Sequence, residues 1–145
     1  MISSLLSNRI IFVLSLLGLS LSSFLLYEYN FSGYIVCPVG AGCDIVRASP
    51  YSRFFGISIP ILGVVFYLTM AALSILRSYV FFERKAFILQ LSGAVAGVGF
   101  GIYLTLLEIF VIRAICFWCV LSFIISIVIL LSVLLTRKDH YDNRN

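Results

Sequence analysis

Ala114-Ile-Cys-Phe-Trp-Cys-Val-Leu-Ser-Phe-Ile-Ile-Ser-Ile-Val-Ile-Leu-Leu-Ser-Val-Leu-Leu-Thr136 runs for 23 residues without a charge and has two cysteines near its start. Crossing about 30 Å of hydrocarbon takes about 20 helical residues, so this stretch reads as a membrane span. Three more uncharged runs precede it: Ile10–Tyr27, Phe54–Leu76 and Ala86–Leu107, of 18, 23 and 22 residues. The chain is 62% hydrophobic and 11% charged, with a mean hydropathy of +1.15. A water-soluble domain of 145 residues could not cover such a core. The reading is an all-α integral membrane protein with a single domain over residues 1–145. Its four transmembrane helices are expected at about 10–27, 54–76, 86–107 and 114–136, with a long cysteine-bearing loop over 28–53. Arg9 and Ser20–Ser23 give the first run some features of a cleaved signal peptide. Its apolar stretch is longer than a signal core and no Ala-x-Ala site follows, so a retained helix is the better reading.

Lys and Arg set the orientation. With the N-terminus inside, Arg9, Arg77, Arg84, Lys85, Arg137, Lys138 and Arg144 fall on the cytoplasmic side, and Arg47, Arg53 and Arg113 outside. Seven against three favours both termini in the cytoplasm. The loop and the start of the last span then face the outside, where disulfides form and persist. The net charge of +4 is accounted for by this bias, and no basic run with interleaved aromatics points to nucleic acid.

The long loop carries Gly33, Pro38, Gly40, Gly42 and Pro50 as breakers, with Tyr, Phe and Ile between them. That pattern suggests a lid folded back on the membrane surface, with Asp44 capping a short helix after Cys43. Arg77–Lys85 and Glu108–Arg113 read as short connections, and Arg137–Asn145 as a polar, frayed tail with a solvated His140. Gly93-x-x-x-Gly97 and Gly97-x-x-x-Gly101 lie mid-membrane and read as close helix packing, since no strand precedes them to make a dinucleotide loop.

The chemistry rests on four cysteines. Cys116 and Cys119 are three residues apart, on one helix face, and close enough to form a disulfide. In the first helical turn Cys116 has free backbone N–H groups and the helix dipole to stabilise a thiolate. Phe117, Trp118 and Phe123 offer flat apolar surface suited to an aromatic ring. Cys37-Pro-Val-Gly-Ala-Gly-Cys43 lets two thiols pair, part and swing toward another sulfur. Thiol–disulfide exchange is the favoured reading. Permanent structural disulfides remain open, as does bound zinc, although Cys37-x5-Cys43 lacks knuckle spacing and no histidine assists.

Cys37-x5-Cys43, then Ser49-Pro-Tyr-Ser-Arg-Phe-Phe-Gly-Ile-Ser-Ile-Pro60, Gly63 and Tyr67, and last Cys116-Phe-Trp-Cys119, resemble the vitamin K epoxide reductase (VKOR) family. The likeness runs from Cys37 to about Thr136. The order of parts is specific: a loop pair first, a CxxC at the head of the fourth helix last. Another class of quinone-linked thiol oxidases carries its CxxC in the first loop, which does not fit.

The resemblance implies a four-helix bundle around a quinone of the ubiquinone, menaquinone or vitamin K type. Cys116 and Cys119 would be the active centre, with Cys119 facing the quinone. Cys37 and Cys43 would carry electrons from a separate thioredoxin-fold disulfide oxidase, this being a stand-alone member without a fused thioredoxin domain. Ser49 would donate a hydrogen bond near the active disulfide. Tyr51, Phe54, Phe55, Tyr67 and Trp118 are candidates for the quinone pocket, Cys43 for the partner-facing thiol and Cys37 for the resolving one. Arg47 and Arg53 are read as headgroup anchors, and Glu108 as an interfacial charge that can reach water, with aid to proton transfer beside the CxxC as the alternative. No metal ligand is expected. The function read from the chain is a membrane thiol–quinone oxidoreductase supporting disulfide formation. The alternatives are a vitamin K quinone or epoxide reductase driven by thiols, and a non-enzymatic membrane protein with structural disulfides or zinc.

Overall fold

The computed structural model describes residues 2–78 and 83–142. Four helices are long and apolar enough to span a bilayer: α1 (Ile2–Phe31), α3 (Ile59–Leu76), α4 (Glu83–Leu106) and α5 (Phe117–Asp142). Between α1 and α3 lie a short helix α2 (Gly42–Ala48) and a two-residue hairpin, β1 (Arg53–Phe54) paired antiparallel with β2 (Ile57–Ser58). The architecture is the expected membrane bundle with a folded loop at one end.

Several boundaries differ from the sequence reading, each for a local reason. The second span begins at Ile59 and not at Phe54. Phe55 and Gly56, at φ 51° and 83°, form the positive-φ turn that reverses β1 into β2, and Pro60 then opens the helix. The segment expected to separate the third and fourth spans is a π-helical extension of α4 over Leu107–Ile112, stopped by Arg113 in the left-handed region at φ 56°. The last helix runs on to Asp142 through most of the expected frayed tail. Expectations for the side chain of His140 lie outside the described residues, as do those for the middle of the Arg77–Lys85 connection.

On α1, Ile11, Ser15, Gly18, Ser22 and Leu25 turn inward at alternating steps of four and three, the spacing that keeps a stripe on one helix face. Small residues let neighbours come close: Gly18 lies under the Tyr67 ring, and Gly63 faces the Ser22 hydroxyl. The glycines of α4 serve the expected close helix packing by accepting side chains. Gly93, Gly97 and Gly101 seat the side chains of Met70, Phe66 and Phe123, so the stripe accepts large groups from α3 and α5. One apolar core joins Ile11, Tyr67, Met70, Ala94, Ile129 and Val133; a second, at the loop end, joins Leu25, Ile35, Cys43, Val46 and Cys116.

At the end opposite the loop buried polar groups pair with one another, as burial away from water favours, although the Asn8 Oδ1 is left without a partner among the described residues. Gln90, fully buried, donates to the Ser74 hydroxyl (3.0 Å) and accepts from Arg77 (3.1 Å), while Asn8 donates to the Ser74 carbonyl (2.9 Å). The Arg77 guanidinium also lies 4.9 Å from the centre of the Phe87 ring.

Candidate functional site

The loop is held by three side chains at a single dipeptide. The Ile35 N–H donates to Asp44 (2.7 Å) and the Val36 N–H to Glu28 (2.8 Å), while the Val36 carbonyl accepts from the Trp118 indole (2.8 Å). Hydrogen bonds to charged groups contribute about 1.5–3 kcal/mol each, so α1, α2 and α5 grip this point firmly. Asp44 therefore ties the loop to α2 and does not cap that helix, which begins one residue before Cys43 and has Ala41 at its N-cap. Arg47 is also committed within the protein: it donates to the Tyr29 carbonyl (3.0 Å) and stacks on the Tyr29 ring. Arg53 stays exposed on β1.

Cys37 and Cys43 form a disulfide across the loop. Their surroundings differ. Cys43 is 1% exposed and packs in the loop-end core with Cys116, which is 3% exposed, whereas Cys37 lies half-buried at the edge of that core. Cys43 is thus enclosed beside Cys116 and Cys37 lies nearer the surface, an arrangement opposite to the one a partner-facing Cys43 calls for. Behind the pairing is a close approach of two backbones, since Gly42 sits against the carbonyl of Ile115.

Glu108 shapes the other side. It is 3% exposed and lies within the π-helical turn. Its backbone carbonyl accepts from the N–H groups of Arg113 and Ala114, and its carboxylate from the Cys116 N–H (3.1 Å). The expected interfacial charge is thus a buried group that fixes the link from α4 to α5. From sequence, its place near a helix end favours an interfacial charge over a part in proton transfer. The usable signal was its place inside a 29-residue span that is otherwise uncharged after Lys85.

Cys116 immediately precedes α5, and its carbonyl accepts the first helical bond, from Val120 (3.1 Å). The Cys119 thiol bonds to its sulfur and, with the N–H groups of Cys119 and Trp118, holds the Cys116 thiol below the ordinary cysteine range; burial and the nearby Glu108 charge oppose this. The Cys116 and Cys119 thiols are free. Together with a Glu108 oxygen, their sulfurs lie within 4.8 Å of one another, a set of donors able to hold a metal ion.

Below them opens a cavity of about 390 Å³ between α1, α3, α4 and α5. Cys116, Cys119 and Trp118 stand at one end, and Phe54, Phe66, Phe100 and Phe123 form aromatic walls. Deeper, the Tyr67 hydroxyl meets the Ser122 carbonyl (2.9 Å) and the hydroxyls of Ser122 (2.8 Å) and Ser126 (3.4 Å). An apolar cleft with aromatic walls, a few hydroxyls and a thiol pair at its mouth fits a flat ring bearing carbonyl oxygens. Of the candidates from sequence, Phe54, Tyr67 and Trp118 line this cavity. Tyr51 and Phe55 are exposed and lie outside its lining, and Phe55 is 91% exposed at the hairpin tip. The Ser49 hydroxyl is enclosed but has no hydrogen-bond partner among the described residues, and it too lies outside the lining. Ser22, Phe66, Phe100, Ser122 and Ser126 are lining residues that spacing did not single out.

No individually curated protein matches the chain. The Vitamin K epoxide reductase family profile matches residues 9–134, from the first span to the last. With four membrane-spanning helices and a paired-cysteine centre, the protein is a membrane oxidoreductase and belongs to the vitamin K epoxide reductase family.

Proposed function

We propose that the protein moves electron pairs from a thioredoxin-fold partner outside the cytoplasm to a membrane quinone, and so supports disulfide formation there. The observation that carries this reading is the burial of Cys43 beside Cys116, with Cys119 on the wall of the cavity. A partner thiolate attacks Cys37 of the loop disulfide and releases the Cys43 thiolate. Cys43 attacks Cys116 of the oxidised Cys116–Cys119 pair, and Cys119 leaves as a thiolate facing the cavity. The partner's second thiol attacks its own sulfur in the mixed disulfide and frees Cys37. Cys37 then attacks Cys43, re-forms the loop disulfide and releases Cys116. Each attack replaces one S–S bond by another. The partner ends oxidised, and two electrons rest on Cys116 and Cys119. A quinone, when bound, supplies the acceptor for those two electrons and two protons. Phe54, Phe66, Phe100 and Phe123 would hold its ring, and Tyr67 with Ser122 its oxygens.

The same thiol sequence serves an epoxide of vitamin K type as acceptor. Purified protein, a reduced thioredoxin-fold oxidase and ubiquinone, menaquinone or vitamin K epoxide in turn would separate these, by acceptor absorbance and by thiol content. Reduction of at least one acceptor, lost in Cys119→Ala, is expected. Full activity in Cys119→Ala would sink the route.

A further inference from the structure

Two sulfurs and a carboxylate meet at the head of α5, and the electron route uses only the sulfurs. The donor atoms of Glu108, Cys116 and Cys119 lie within 4.8 Å of one another, with Glu108 and Cys116 each 3% exposed. Among the described residues no cation pairs with Glu108; its carboxyl meets the Cys116 N–H and the Cys119 thiol. A buried carboxylate is costly without a positive partner, and two thiolates beside it make the deficit larger. We propose that, once the Cys116–Cys119 pair is reduced, these three side chains bind a thiophilic divalent cation of the zinc class.

The chemistry of the donors favours this class. Zinc-like ions take thiolate and carboxylate ligands in a tetrahedron, and sites with three protein ligands keep the fourth position open. Cys116 and Cys119 both line the cavity, from which a fourth ligand would come. Metal–sulfur bonds of about 2.3 Å put the ligand atoms of a tetrahedron roughly 3–4 Å apart, so small side-chain rotations suffice. The i, i+3 spacing of Cys116 and Cys119 already sets both sulfurs on one helix face. Binding exchanges the two thiol protons for the cation and moves no electrons. Oxidation to the disulfide removes two of the three ligands, so the site exists only in the reduced centre. A bound cation holds both sulfurs as ligands and keeps the reduced pair from passing its electrons to the quinone. That inhibition rests on the electron route proposed above; the binding itself does not.

The test uses the full chain in detergent carrying Cys37→Ser and Cys43→Ser, so that only the Cys116–Cys119 pair titrates. After anaerobic reduction and removal of the reductant, Cd²⁺ is added and the ultraviolet thiolate-to-cadmium charge-transfer band is followed. One Cd²⁺ per chain and release of two protons are expected. The same preparation with the pair oxidised should give no band, a control that needs no further variant. Glu108→Gln, which can still accept the Cys116 N–H, should bind at least about tenfold more weakly, the scale on which lost metal-site groups act. Absence of the band in reduced protein, an equal band in oxidised protein, or unchanged affinity in Glu108→Gln would each overturn the site. In the unsubstituted chain with a reduced protein partner, Zn²⁺ should stop quinone reduction and a chelator restore it. Cd²⁺ binding without Zn²⁺ inhibition would leave the site standing and count against the electron route instead.

Discussion

Gly42 lies against the main-chain carbonyl of Ile115 so closely that a Cβ would overlap the oxygen. The next residue on each side is a cysteine, Cys43 on the lid and Cys116 at the head of α5. The spacing of the two backbones therefore sets the reach of one thiol to the other.

Gly42→Ala should separate the two backbones. Displacements near 1 Å at a reacting pair cost on the order of 10²-fold in rate, and a similar loss of partner-driven quinone reduction is expected. A direct readout is the Cys43–Cys116 disulfide trapped in a Cys37→Ser/Cys119→Ser background, scored by non-reducing mass analysis. Reduction of the Cys116–Cys119 disulfide by a small dithiol should change little. Undiminished trapping in the Gly42→Ala chain would show that the contact does not govern exchange.

Cys37 is half-buried and Cys43 enclosed, so their reactivities should differ. After mild reduction of intact cells, a membrane-impermeant maleimide should modify Cys37 well before Cys43, and from outside. Cys43→Ser should accumulate a mixed disulfide between Cys37 and a thioredoxin-fold protein. Labelling that needs permeabilised cells would invert the orientation drawn from Lys and Arg.

The lid hangs on Glu28, Asp44 and Trp118. Glu28→Ala or Asp44→Ala should each cost about 1.5–3 kcal/mol, since each leaves a partly buried N–H without its charged acceptor. Trp118→Phe, which removes the bond to Val36, should cost about 1 kcal/mol. Thermal unfolding measures the first effect. Faster amide exchange confined to residues 33–41 measures the local loosening in all three, and unchanged exchange there would argue against a pinned lid.

Ser49→Ala removes an enclosed hydroxyl that has no partner among the described residues. Orphaned polar groups carry their desolvation cost uncompensated, so the change should leave the melting temperature unaltered or raise it. A loss of more than about 1 kcal/mol would mean that the hydroxyl has a partner in the membrane-embedded protein.

The four spans could be read from the chain because the bilayer imposes a length on every uncharged run, and that constraint acts within each segment. The lid could not. Its shape comes from Glu28, Asp44 and Trp118 converging on residues 35–36, contacts that join positions up to 82 apart. The four cysteines were legible as two pairs, but which loop thiol faces Cys116 depends on how α2 lies against Ile115. Glu108 was under-read for a similar reason: near a helix end an acid can reach water, and only the π-helical turn directs this one inward. The aromatic candidates divided according to the hairpin, whose Phe55-Gly56 turn sends Phe55 away from the bundle while Phe54 stays against Phe100.

The polar plug of Asn8, Ser74, Gln90 and Arg77 has a consequence for energy conversion. Among the described residues, the cavity lining reaches Tyr67 and Ser126 and includes none of these four. In the proposed cycle the partner's thiols bring two electrons and two protons to the loop end, and both kinds of particle leave together on the hydroquinone. Turnover would then displace no charge across the bilayer. Its rate should stay the same whether the membrane is polarised or collapsed by an ionophore, so any coupling to membrane energy would come from whichever enzyme later reoxidises the quinol.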